Sequence, residues 1–112
     1  MILLVDDDDD VRETSADMLE ELGYEVVQAS SGAEALCVLD QWPELELMVT
    51  DIRMPGMSGL ELSDLARIRR DDLKIILISG YFVAEPIQRR FLQKPFRTSE
   101  LDQAIQAELR TG

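Results

Sequence analysis

Asp6, Asp7, Asp51, Ser79 and Lys94 are the side chains of this sequence best placed to do chemistry, because each lies at the carboxyl end of a stretch that reads as a short strand. Asp6-Asp7 follow Ile2-Leu3-Leu4-Val5, Asp51 follows residues 45–50, Ser79 follows residues 73–78, and Lys94 follows residues 90–93. Three carboxylates brought together repel one another, and a hard divalent cation with oxygen ligands relieves the repulsion. Mg²⁺ prefers one or two carboxylates, retained waters and a phosphate oxygen. Asp6, Asp7 and Asp51 therefore read as a Mg²⁺ site that works together with a phosphoryl group. Lys94 offers a positive charge for a phosphoryl oxygen, and Ser79 offers a hydroxyl donor. Asp51 is then the candidate nucleophile, since carboxylates can form aspartyl-phosphates.

The composition removes most competing chemistries. The chain has 112 residues, 23 acidic and 11 basic side chains, a formal charge of −12 and no histidine. His–Cys zinc sites and Ser–His or Cys–His catalysis are therefore impossible. The charge argues against direct binding to nucleic acid or to an anionic membrane. No apolar run approaches the ~20 residues that a membrane span needs. Met1 leads directly into Ile-Leu-Leu-Val and Asp, without the basic start and cleavage site of a signal peptide. The single Cys37 forms no internal disulfide and fits a reducing cytosol, so a cytoplasmic location is expected. Apolar residues make up 46%, too many for a disordered acidic tail. The length suits a single domain over residues 1–112.

The elements that must position these residues alternate. Residues 1–5 are a continuous apolar run, the mark of a strand buried on both faces. Val11, Ser15, Met18, Leu19 and Leu22 recur at helical spacing, and Gly23 stops that helix. Residues 24–28 read as a second strand. Ser30-Ser31-Gly32 turns into a helix with Ala35, Leu36 and Leu39 inward, ended by Trp42-Pro43. Residues 45–50 form a third strand, and Met54-Pro55-Gly56 a turn. Ser58 caps a third helix with an apolar stripe of Leu60, Leu65 and Ile68. Residues 73–78 form the clearest buried strand and residues 90–93 a short last one. Leu101, Ala104, Ile105 and Leu109 make a final amphipathic helix entered at Thr98. Such alternation predicts an α/β fold with a parallel sheet covered on both faces, its crevice beyond the carboxyl ends of the strands. All five candidate residues fall at that edge.

Val5-Asp6-Asp7, the run from Val49-Thr50-Asp51 to Met54-Pro55-Gly56-Met57-Ser58-Gly59, Ile78-Ser79-Gly80 and Lys94-Pro95-Phe96 occur in this order across essentially the whole chain. In this it resembles the CheY-like receiver domain of two-component response regulators. The resemblance implies a flavodoxin-like, doubly wound five-stranded sheet of order 2-1-3-4-5. It implies a phosphoacceptor switch rather than an enzyme, capable at most of Mg²⁺-dependent self-phosphorylation and self-dephosphorylation. Asp51 matches the phosphoacceptor. Asp7 matches the direct Mg²⁺ ligand, Asp6 helps to hold the metal, and the backbone carbonyl of Arg53 matches the third protein ligand. Ser79 matches the switch hydroxyl and Lys94 the lysine that pairs with the phosphoryl group. The Lys94-Pro95 bond is expected to be cis. Phe91 stands at the aromatic switch position, where it can change packing but cannot make a hydroxyl hydrogen bond. The implied partner is a histidine kinase or a histidine phosphotransfer domain. No output domain is evident, so the chain is either a stand-alone receiver or one excised from a larger protein. The Phe91–Phe96 run is similar to receivers attached to hybrid histidine kinases.

One stretch departs from the family pattern. Between Gly80 and the last strand lie only residues 81–89, whereas a parallel crossover with its helix needs at least ~10–12. Pro86 further disfavours helical geometry at Glu85. The fourth helix of the family is therefore expected to be missing or reduced to about one turn. The 81–92 face is then reshaped, with Phe82, Val83 or Ile87 open to a partner or to self-association. Two other functions compete. A haloacid-dehalogenase-like phosphatase wants a second acid two residues after the nucleophile, where this chain has Arg53. A receiver fold that signals without phosphate is opposed by the complete set of Asp7, Asp51, Ser79 and Lys94.

The remaining candidates have plainer readings. Asp8, Asp9 and Asp10 read as solvated charge, with Asp8 helping to shape the pocket. Arg53 and Tyr81 lie where relatives tune phosphate lifetime, or are ordinary rim residues. Trp42 reads as packing at a helix end, and Cys37 as a small buried apolar residue.

Overall fold

The run Ile2–Val5 forms β1, and all four of its residues are buried, as a continuous apolar run requires of a central parallel strand. The computed structural model describes residues 1–80 and 89–110. The other elements, in chain order, are α1 (Asp9–Glu21), β2 (Val26–Ala29), α2 (Gly32–Gln41), β3 (Leu47–Asp51), α3 (Gly59–Arg69), β4 (Lys74–Ser79), β5 (Arg90–Gln93) and α4 (Thr98–Arg110). The strands pair in parallel in the order β2-β1-β3-β4-β5, the expected 2-1-3-4-5 arrangement. No described helix is long and apolar enough to cross a membrane. The crossover at 81–88 lies outside the described residues, and with it the expectation of a shortened fourth helix, the apolar part of the 81–92 face, and Tyr81.

Alternate residues of each strand feed two cores. Leu3, Val5, Met48, Ile75 and Leu77 pack with Ala35 and Leu39 of α2 and with Leu62 and Ala66 of α3. Ile2, Leu4, Leu47, Val49, Ile76 and Ile78 pack with Ala16 and Leu19 of α1 and with Leu101, Ala104 and Ile105 of α4. Helices therefore cover both faces, and every strand ends at the same edge.

Local signals set the helix ends. Asp8 caps α1, its carboxylate accepting from the Val11 amide at 3.1 Å. Gly23 follows α1 at φ +96°, a conformation that glycine alone adopts without strain. Ser31 caps α2, and Trp42 closes it. Ser58 and Glu61 form a reciprocal capping box at the start of α3.

Two expectations are corrected. The inward face of α3 is Gly59, Leu62, Ser63 and Ala66, whereas Leu65 and Ile68 are 40% and 80% exposed and Leu60 is half-buried. The reason is close packing: a Cβ at Gly59 would lie 2.1 Å from the Asp51 carbonyl oxygen, so the helix meets the sheet mainly through small residues, with Leu62 the one large side chain on that face. Cys37 is exposed, because Ala35 and Leu39, two positions away on either side, take the inward face of α2.

Candidate metal and phosphoryl site

The carboxyl ends of β1, β3 and β5 open onto a crevice of about 510 Å³ lined by Asp6, Asp7, Asp51, Arg53, Gly80 and Lys94 among others. The register explains the convergence. Val5 pairs with Thr50 across β1 and β3, so Asp6 and Asp51 leave their strands at the same level. Carboxylate oxygens of Asp6, Asp7 and Asp51 all lie within 4.8 Å of one another. Asp6 is buried, Asp51 is half-buried and Asp7 is exposed.

Lys94 is the cation that this cluster already holds. Its Nζ donates to Asp51 Oδ2 at 3.1 Å and to Asp6 Oδ2 at 3.3 Å. Burial alone would lower the Lys94 pKa, but the hydrogen bonds and charges of Asp51 and Asp6 outweigh it and hold the ammonium above its usual value. The Lys94-Pro95 peptide bond is cis, and the Lys94 amide donates to the Ser79 carbonyl at 2.8 Å. The other oxygens have backbone donors: Asp51 Oδ1 accepts from the Arg53 amide at 3.3 Å, and Asp6 Oδ1 from the Asp8 amide at 3.0 Å. Asp7 makes no side-chain hydrogen bond or ion pair among the described residues.

The donor set fits a hard divalent cation. It offers oxygen alone, and Mg²⁺ takes oxygens at about 2.1 Å in octahedral array, which puts ligand oxygens about 3–4 Å apart. The carboxylate oxygens of Asp6, Asp7 and Asp51, within 4.8 Å of one another, are near that spacing. The remaining candidates stand further back. Ser79 ends β4 one residue beyond the partner of Asp51, but it is fully buried. Phe91 is half-buried on β5 and packs into the core beneath α2 and α3. Asp8 lines the crevice while capping α1, Asp9 pairs with Arg12 at 2.7 Å, and Asp10 is exposed.

Sequence reasoning missed Arg12. Its Nη1 donates to the Asp6 backbone carbonyl at 2.8 Å, in the peptide unit that joins Asp6 to Asp7. A signal was available: a basic residue sits near the N-terminus of a helix, where the dipole favours acids.

A family model described as the response regulator receiver domain matches residues 2–106. The chain is 36% identical to the response regulator receiver protein CpdR of Brucella abortus, over 96% of this chain and 95% of CpdR. It is also 36% identical to the sensor kinase CckA of the same organism, over 96% of this chain but 12% of CckA. Among solved structures, the response regulator protein TrrA of Thermotoga maritima, in complex with Mg²⁺–BeF, superposes with a TM-score of 0.87 at 34% identity, covering 95% of this chain and 96% of that one.

Proposed function

The chain belongs to the response regulator receiver family, and from that membership we propose that Asp51 is the phosphoacceptor of a two-component signalling switch. Receiver domains are signalling domains rather than enzymes that turn over a substrate. The donor is a phosphohistidine on a histidine kinase or a histidine phosphotransfer domain, met in the cytoplasm. The observation that carries this reading is the meeting of Asp6, Asp7, Asp51 and Lys94 in one crevice. The likeness covers both CpdR, nearly end to end, and a 12% segment of CckA, so the role assigned is that of the shared segment.

An Asp51 carboxylate oxygen attacks phosphorus as the bond from phosphorus to the donor's imidazole nitrogen breaks, and that nitrogen keeps the electron pair. Lys94 exchanges its hydrogen bond to Asp51 Oδ2 for one to a phosphoryl oxygen. Asp6, Asp7, Asp51 and the backbone carbonyl of Arg53 would hold Mg²⁺, a reading supported by the Mg²⁺–BeF complex of TrrA. When bound, the ion offsets the charge on the transferring phosphoryl oxygens. Ser79, fully buried at the end of β4, is the switch hydroxyl that turns toward the phosphoryl group. That movement, with repacking of Phe91, biases the surface offered to partners.

Incubation with a small acyl-phosphate donor tests the reading. We expect one phosphoryl adduct in the presence of MgCl₂, none with EDTA, and release by hydroxylamine, as an acyl-phosphate linkage requires. An adduct that forms equally in EDTA, or that resists hydroxylamine, contradicts it.

A further inference from the structure

We infer that Arg12 is a positioning residue for the acid pair, holding the peptide plane between Asp6 and Asp7 so that both carboxylates face one cation. The inference rests on the reading of Asp6 and Asp7 as Mg²⁺ ligands.

The guanidinium is committed in three directions. Nη1 donates to the Asp6 carbonyl at 2.8 Å, Nε to Gln28 Oε1 at 3.0 Å, and Nη2 to Asp9 Oδ1 at 2.7 Å. One contact lies at the end of β1, one on β2 and one on α1, so the fork ties the loop after β1 to both of its neighbours. Only 14% of the Arg12 side chain is exposed. The Asp6 carbonyl belongs to the peptide unit that joins Asp6 to Asp7, and that unit is planar. Asp6 is already anchored through its amide, which donates to the Ala29 carbonyl at 3.2 Å. Fixing the carbonyl as well sets where the Asp7 Cα lies, the point from which its side chain departs. Asp7 depends on this, since its own carboxylate has no partner among the described residues.

Charge and geometry predict opposite signs for the loss of Arg12. By Coulomb's law, removing a cation near three carboxylates strengthens the binding of Mg²⁺. Removing a group that orients the ligands weakens it, typically by tenfold or more. The sign of the change therefore separates a positioning role from a field effect. Lysine restores the charge but not the planar fork.

The test is calorimetric titration of the full chain with MgCl₂, for wild type, Arg12→Ala, Arg12→Lys and Gln28→Ala. Arg12→Ala is expected to weaken Mg²⁺ binding by about tenfold. Arg12→Lys is expected to recover only a small part of that loss. Gln28→Ala removes one anchor of the fork without touching a carboxylate, and is expected to weaken binding by less than Arg12→Ala. Unchanged or tighter binding by Arg12→Ala, or full recovery by Arg12→Lys, overturns the inference. Should Arg12→Ala fail to fold, wild-type affinity in both of the other variants overturns it. Wild-type protein that takes no Mg²⁺ overturns the metal reading and this inference with it, whereas binding indifferent to Arg12 overturns this inference alone.

Discussion

Lys94 and Asp7 make opposite contributions to the same crevice, and substitutions should separate them. Lys94 neutralises Asp51 and Asp6 at 3.1 and 3.3 Å and is itself only partly exposed. Lys94→Met leaves three carboxylates without that cation. It is expected to cost about 1–2 kcal/mol in urea unfolding at pH 7, between the values for exposed and buried pairs, and less at high salt. Asp7 has no side-chain partner to lose among the described residues. Asp7→Asn therefore relieves repulsion and is expected to stabilise the protein by about 0.5–1 kcal/mol without divalent cations. Adding MgCl₂ should reverse the order, because wild type gains binding energy that the variant cannot. The acids were legible in the sequence because each follows a largely apolar strand, whereas Lys94 follows the mixed run Arg90-Phe91-Leu92-Gln93 and was legible through the Lys94-Pro95-Phe96 motif. Arg12 left only a weak signal, a base near a helix N-terminus, since its contact is to a carbonyl that only the folded loop presents.

At the scale of elements, α3 carries the clearest constraint. Gly59 lies so close to the Asp51 backbone that a methyl group would displace the strand end bearing the candidate phosphoacceptor. Gly59→Ala is expected to cost about 3 kcal/mol by chemical denaturation, the upper end for overpacking, since backbone rather than a flexible side chain is struck. The same contact explains why the inward face of α3 was misread. A helix that approaches through Gly, Ser and Ala shows little hydrophobic periodicity, and Leu65 and Ile68 imitate a buried stripe. Strands β1 and β4 were legible because parallel strands covered on both faces must be continuously apolar. The segment before β2 also meets α4. The Tyr24 hydroxyl donates to Asp102 Oδ1 at 3.2 Å. Burial, the Asp102 charge and this hydrogen bond all raise the Tyr24 pKa. Its stabilising contribution is thus complete below the ordinary tyrosine value near ~10 and is lost as pH rises through the raised one. Tyr24→Phe is expected to cost about 0.5–1.5 kcal/mol at pH 7 and to show a shallower alkaline loss of stability than wild type.

The whole molecule joins an acid-rich chain of net charge −12 to a fold that brings strand ends together. Alternation of apolar runs and helical patterns was enough to predict five parallel strands, and the resemblance supplied their order. A site with three carboxylates should make stability depend on divalent cations. Mg²⁺ at 100 times its dissociation constant is expected to stabilise wild type by about 2.7 kcal/mol, read as a rise in Tm, while Asp7→Asn shows little rise. Of the three carboxylates, only Asp51 is proposed to accept the phosphoryl group. The most direct test is to phosphorylate the chain with an acyl-phosphate donor and Mg²⁺, reduce it with borohydride, and locate the resulting homoserine by tandem mass spectrometry. Homoserine is expected at position 51, with Asp6 and Asp7 unmodified. Homoserine at position 6 or 7, or at no position in protein shown to bind Mg²⁺, would contradict it.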